Sequence, residues 1–262
     1  MPRARPVPRP TDRRSVRSID LNSDLGEGAG SDAALMPLIS SANIACGAHA
    51  GDPASIRATI ALAVRHGVRV GAHPGYRDAA NFGRLPLAIP ASALAADLRA
   101  QIALLQELAA EAGARVTHVK AHGALYNQAE RDDGLATLIA GTVANVDPTL
   151  ALVASPGSAL ARAAAVAGLS LLREGFVDRA YEPDGTLRSR ALPEAMVLEP
   201  ERAAAQALGF IENGGVRATG GSFLTLAVDT LCLHGDSPGA VEIAGAVRRV
   251  LDRAGITVRA PG

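Results

Sequence analysis

Six histidines occur in the 262-residue chain, and four of them, His49, His73, His122 and His234, stand where a short apolar run gives out into a turn. In a parallel α/β barrel every strand opens onto the same face, so histidines at four such ends converge on one rim. His66 differs. It precedes Gly67 at the end of a helical pattern, where an imidazolium complements the negative helix terminus, and it reads as structural. Two strand ends repeat one layout, Cys46-Gly-Ala-His49-Ala-Gly-Asp52-Pro53 and Cys232-Leu-His234-Gly-Asp236-Ser-Pro238. Asp52, directly before a helix-starting proline, reads first as an N-cap, whereas Asp236 is open between cap and site. Cys46 and Cys232 read as small buried thiols, and two cysteines are too few for a disulfide framework.

The carboxylates and the basic groups follow strand periodicity. In Ser18-Ile-Asp20-Leu-Asn22-Ser-Asp24-Leu-Gly26-Glu27, alternation puts Asp20, Asn22 and Asp24 on one face. Three polar side chains facing into a barrel require partners there, which convergent His, Lys or a metal would supply. The glycine run around Glu27 matches neither nucleotide-loop pattern, G-x-G-x-x-G or G-x-x-x-x-G-K-[ST]. In Val116-Thr-His118-Val-Lys120-Ala-His122, the same alternation aligns His118, Lys120 and His122, and Lys120 is the chain's only lysine. An ammonium is compact and can shift its pKa when buried, tasks a guanidinium does not share. A later stretch holds Asp178, Arg179, Tyr181 and Arg190, whose arginines suit a bidentate grip on a carboxylate or phosphate; a solvated loop is the alternative.

The elements that must position these groups alternate in kind. Candidate strands at 18–23, 43–48, 68–72, 116–121, 150–154, 169–174 and 226–233 are separated by helical patterns. One helix is expected over 91–112, with Leu94, Leu98, Ile102, Leu105 and Leu108 inward and Asp97, Arg99, Gln101 and Glu107 on other faces. Another is expected from Ser237 as N-cap and Pro238 as first residue to Gly255, with Val241, Ala244, Val247 and Leu251 inward. Seven strand-helix units predict a closed α/β barrel over 18–262, with an open doubly wound sheet as the alternative. Long connections at 74–90 and 175–198 break the rhythm, as functional loops do.

Composition narrows the function classes. Basic and acidic residues balance at 26 each, so no overall field favours nucleic acid or an anionic membrane. No apolar run reaches the roughly 20 residues that span a bilayer, and the scarcity of cysteine fits a reducing, cytoplasmic setting. Residues 1–17 hold six Arg, four Pro and one Asp and read as a disordered basic leader.

At the quoted residues the chain resembles the LamB/YcsF family, understood as the A subunit of the prokaryotic ATP-dependent 5-oxoprolinase. The likeness runs from Ile19 to Val258. It is carried by Asp20-Leu-Asn-Ser-Asp24-Leu-Gly-Glu27, Ser41-Ala-Asn43-Ile-Ala-Cys-Gly-Ala-His49-Ala-Gly-Asp52, Gly71-Ala-His73-Pro, Val119-Lys120-Ala-His122-Gly-Ala-Leu-Tyr126-Asn127, Asp178-Arg179-Ala-Tyr181 and Cys232-Leu-His234-Gly-Asp236. Ala121 departs from the family's usual Pro between Lys and His. The resemblance implies a distorted seven-stranded, TIM-like barrel of the glycoside hydrolase/deacetylase type. It implies a hydrolase of a cyclic amide that opens 5-oxo-L-proline to L-glutamate with ATP, whose nucleotide, with its Mg, is left chiefly to partner subunits B and C. The expected catalytic set is Asp20, Asp24, Lys120 and His122: a carboxylate with His122 on the attacking water, Lys120 on the developing oxyanion or phosphate. Substrate contacts are expected from Asn22, Glu27, Asn43, His49, His73, Tyr126, Asn127, Asp178, Arg179, Tyr181, Arg190, His234 and Asp236. No metal is assigned firmly; if one is present, Asp20, His49 and His122 are its expected ligands. The rival readings are a metal-dependent deacetylase or amidohydrolase and a non-catalytic metabolite-binding subunit. Homo-oligomer formation is left open.

Overall fold

Short β-branched and alanine-rich runs, too brief to form stable helices alone, find their hydrogen bonds side by side. In a computed structural model, which describes residues 18–261, they form β1 (Ser18–Leu25), β2 (Ser41–Ala45), β3 (Arg69–His73), β4 (Val116–Val119), β5 (Ala151–Ala154), β6 (Leu171–Phe176), β7 (Gly215–Arg217), β8 (Phe223–Thr225), β9 (Thr230–His234) and β10 (Thr257–Val258). The order β1-β2-β3-β4-β5-β6-β9 is parallel throughout, and β9 pairs back onto β1, so the sheet closes into a seven-stranded barrel. Closure decides against the open sheet. The leader expected over 1–17 lies outside the described residues. The antiparallel hairpin β7-β8 and the short β10 beside the start of β1 are additions to the expected plan.

Helices cover the barrel: α1 (Asp32–Leu35), α2 (Pro53–His66), α3 (Ala91–Glu111), α4 (Gly123–Ala129), α5 (Asp133–Val146), α6 (Ala159–Val166), α7 (Pro200–Glu212) and α8 (Ala240–Arg253). Asp52 caps α2, accepting from the amides of Ala54 and Ser55, and Gly67 ends that helix in the left-handed conformation at φ 65°. In α3 the five expected apolar residues are buried, but so is Gln101. Its amide accepts from Gly75 N at 3.0 Å and donates to Gly75 O at 2.9 Å, which anchors the loop after β3. No helix among the described residues is long and apolar enough to cross a membrane.

Three expected boundaries move for local reasons. β2 stops at Ala45 because the chain turns at Gly47, φ 80°. β9 begins only at Thr230, since Leu226 N is committed to Gly214 O at the hairpin. The last helix begins at Ala240 rather than Pro238: Ser237 gives its hydroxyl to Asp178 at 3.2 Å, and Gly239 at φ 73° holds the N-cap position.

Apolar side chains collect between strands and helices, with Ile19 and Leu21 of β1 facing outward into that shell. The barrel's bore is built differently, from buried polar side chains on the opposite faces of the same strands.

Candidate functional site

The bore is a column of hydrogen bonds. At its lower end Asp20 accepts from the hydroxyls of Ser40, Ser41 and Thr230 at 2.6, 2.8 and 2.6 Å. Burial pushes its carboxyl up, against those bonds. Above it Asn43 donates to Asn22 Oδ1 and Asp24 Oδ1, both at 2.8 Å, and His118 Nε2 donates to Asn43 Oδ1 at 2.9 Å. Burial drives His118 down to about 3, so it is neutral and structural.

Higher still, Lys120 Nζ lies 3.0 Å from Asp24 Oδ1, 3.0 Å from Cys232 Sγ and 2.8 Å from Glu174 Oε1. Burial opposes its charge, but Asp24 and the neighbouring groups outweigh that and hold its pKa well above the ordinary lysine value. Its neighbours therefore favour the charged form of Lys120. Burial alone would raise Asp24; the charges of His73 and Lys120 hold it well below the usual carboxylate range. Glu174 Oε2 is buried and finds no hydrogen-bond partner among the described residues.

At the C-terminal rim, Gly26 turns the chain at φ 72°, and Glu27 folds back over the barrel end. Its Oε1 lies 3.1 Å from His49 Nε2, 3.1 Å from His122 Nδ1 and 3.7 Å from His73 Nε2. The rings of His49 and His122 stack at 3.6 Å, inclined by 3°. Burial lowers His49 to about 4 and also lowers His122, whereas His73 is raised because Asp24 and Glu27 overcome its burial. Two sets bring metal-ligating atoms within 4.8 Å of one another among the described residues: Glu27, His49, His73 and His122, and separately Asp24, Cys232 and His234.

These groups floor a cavity of about 550 Å³. Asp24, Glu27, His73, Lys120, His122 and His234 line it, with Tyr126, Asn127, Arg179, Arg190 and Asp236 on its walls. Arg179 is buried and donates to the carbonyls of Arg188 and Ala195; burial, and then the adjacent Arg190, lowers its pKa to about 10. Two guanidiniums that repel one another at a cavity wall make a place for an anion. Arg84, from the loop after β3, reaches across to the Asp236 carboxylate.

Several expected contacts lie elsewhere. Asp20 is four residues below Asp24, about 13 Å along the strand, so the grouping of Asp20 with His49 and His122 as a metal triad is not formed, and Asp20 does not reach the cavity. Asn22 and Asn43 sit within the bore, and His49 is behind the cavity wall. Asp178 accepts from His234 N and Ser237 Oγ and faces His234 Nδ1 at 2.9 Å, so it positions that histidine. Tyr181 accepts from Phe176 N at 2.8 Å and supports the loop after β6. Sequence reading missed Arg84, Glu130 and Glu174. Glu130 lines the cavity, and burial raises its carboxyl to about 7. Its one sequence signal is the four-residue spacing from Tyr126 on the face of α4.

A family model described as the LamB/YcsF family matches residues 19–262. Among curated relatives, the 5-oxoprolinase A subunit of Symbiobacterium thermophilum is 48% identical over 255 residues, covering 95% of this chain and 98% of that protein. The 5-oxoprolinase A subunit of Rhodopseudomonas palustris is 50% identical over 249 residues, covering 93% and 98%. Among solved structures, the lactam utilization protein from Thermus thermophilus superposes with a TM-score of 0.88 at 42% identity, covering 93% of this chain and all of that one. The catalytic domain of a peptidoglycan N-acetylglucosamine deacetylase from Eubacterium rectale shares the fold alone, with a TM-score of 0.52 at 12% identity over 96% of this chain and 91% of that one. With matches over almost its whole length, on a barrel whose rim gathers the motif residues, the chain belongs to the LamB/YcsF family.

Proposed function

We propose that this chain is the A subunit of an ATP-dependent 5-oxoprolinase and carries the site at which the lactam ring of 5-oxo-L-proline is opened to L-glutamate. The observation that carries the reading is the placement of a buried cation, Lys120, beside Asp24 at the floor of a cavity whose wall presents Arg179 and Arg190. A five-membered lactam is a resonance-stabilised amide, so opening it requires activation of the carbonyl, here by phosphoryl transfer from ATP to the lactam oxygen. Arg179 and Arg190 hold the substrate carboxylate. Lys120 stabilises the negative charge of the transferred phosphoryl group, and Asp24 with the Glu27-His122 edge orients the water that adds to the ring carbon; the C–N bond then breaks as the nitrogen takes up a proton, and a second water releases phosphate from the resulting acyl phosphate to give L-glutamate. No nucleotide loop is evident in the sequence, so ATP is bound chiefly by partner subunits B and C, in the cytoplasm. The names of the relatives, each an A subunit, support an assembly of this kind.

The test is 5-oxoproline-dependent phosphate release, measured with this chain alone, with the B and C subunits, and with those subunits lacking it. Turnover is expected only in the complete mixture. Full turnover by the isolated chain would overturn the division of labour, and ring opening without ATP would move the reading to direct amide hydrolysis.

A further inference from the structure

The orientation of two imidazoles on the rim is fixed from behind. His73 Nδ1 donates to Lys120 O at 2.8 Å, and His122 Nε2 donates to Phe82 O at 2.8 Å. Each backbone carbonyl can only accept, so each of those nitrogens carries the hydrogen. In the neutral rings the remaining nitrogens, His73 Nε2 and His122 Nδ1, then carry lone pairs. These atoms face each other at 3.0 Å, and Glu27 Oε1 lies 3.7 and 3.1 Å from them. Three electron-pair donors thus point at one another. Their separations bracket the edge of about 3.3 Å that a tetrahedron with bonds of 2.0–2.1 Å requires, which is the ligand spacing of a zinc-type ion.

Two further observations agree. Histidine ligands commonly give their second ring nitrogen's hydrogen to a carbonyl or carboxylate, as both rings do here. With His73 neutral, as a metal ligand must be, the buried carboxyl groups of Asp24, Glu27 and Glu174 gather around a single ammonium, Lys120. Their side chains are at most 6% exposed, so water does little to offset the excess of carboxyl groups over ammonium. A divalent cation supplies the missing charge.

We propose that Glu27, His73 and His122 bind one divalent transition-metal ion of the zinc class, with an open position toward the cavity and with His49 Nε2 holding Glu27 from behind. All three ligands line the cavity, whereas His49 does not. The proposal does not depend on which amide is opened or on whether ATP is used, because it is tested by binding.

The full chain is stripped with a chelator and titrated with Zn²⁺ and, as a visible probe, Co²⁺, with bound metal counted by elemental analysis. One equivalent per chain is expected, with Co²⁺ absorption of a four- or five-coordinate site and a melting temperature that rises with Zn²⁺ concentration. Glu27→Gln, His73→Gln and His122→Gln should each weaken binding at least a hundredfold, while Asp52→Ala, at the exposed cap of α2, should leave it unchanged. Less than a tenth of an equivalent on the unmodified chain, with no shift in melting, would overturn the proposal and leave a proton on His73, shared with Asp24, as what joins the cluster. Unweakened binding in variants that retain the native circular dichroism would overturn it equally. Should a variant fail to fold, stoichiometry and the Co²⁺ spectrum of the unmodified chain decide alone.

Discussion

Lys120 sits where size matters as much as charge. Its ammonium has three carboxylate or thiol neighbours within 3.0 Å, and its side chain is 3% exposed. A guanidinium is broader and planar, so Lys120→Arg keeps the charge but displaces the group from Asp24 or from the substrate. At least a hundredfold loss of kcat/KM in the reconstituted complex is expected, about 2.7 kcal/mol of transition-state stabilisation. Activity within threefold of the parent would remove Lys120 from the catalytic set. Glu130 gives a prediction in pH. Its ordinary value of 4.5 is raised by burial to about 7, so between those values the folded protein keeps a proton that the unfolded chain has released. This side chain therefore contributes least at high pH, and stability falls as pH rises through that window. Glu130→Gln, which preserves the acceptor for Ser155 N, should gain stability over the parent from pH 5 to 8 by roughly 2 kcal/mol, measured by urea unfolding. A difference independent of pH would show that the group titrates normally.

At the scale of elements, β1 divides its labour along its length. Asp24 serves the cavity, whereas Asp20 ties β1 to the serines before and within β2 and to Thr230 of β9. Asp20→Asn should cost about 1–3 kcal/mol, because an amide presents donors to hydroxyls that now donate, yet leave turnover per folded complex within threefold. A large loss of kcat without loss of stability would restore Asp20 to the chemistry. Strand β3 approaches β4 so closely that a Cβ on Gly71 would lie 2.0 Å from His118 Nε2. His118 is held on both nitrogens and cannot swing away, so Gly71→Ala should lower stability by roughly 2–3 kcal/mol, read from thermal unfolding. Strand and helix identities were legible because alternation and the 3.6-residue period both report burial. The inward face of Asp20, Asn22 and Asp24 followed from alternation alone. Gln101 was not legible: its polarity argues for solvent, and only the loop that returns to Gly75 shows why it is buried. The start of α8 was misplaced because Ser237 looks like a cap but is claimed by Asp178, 59 residues away in sequence.

For the whole molecule, the convergence of strand-end histidines on one rim was legible from topology, but their grouping was not. His49, His73 and His122 meet through Glu27, while His234 stands with Asp24 and Cys232. Which histidines meet depends on loops closing over the barrel end, where Gly75 and Gly83 pack against His49 and His122 with no room for a Cβ. The polar bore has a calorimetric consequence. Exposing apolar surface on unfolding raises heat capacity by about 0.45 cal/K/mol per Å², whereas exposing polar surface lowers it by about 0.26. A barrel filled by Asp20, Asn22, Asn43, His118 and Lys120 instead of aliphatic residues should therefore unfold with a heat-capacity increment below the usual range of about 12–15 cal/mol/K per residue. The curve of stability against temperature flattens accordingly, so cooling and warming away from the optimum erode this fold more slowly than they would an aliphatic-filled barrel of the same length.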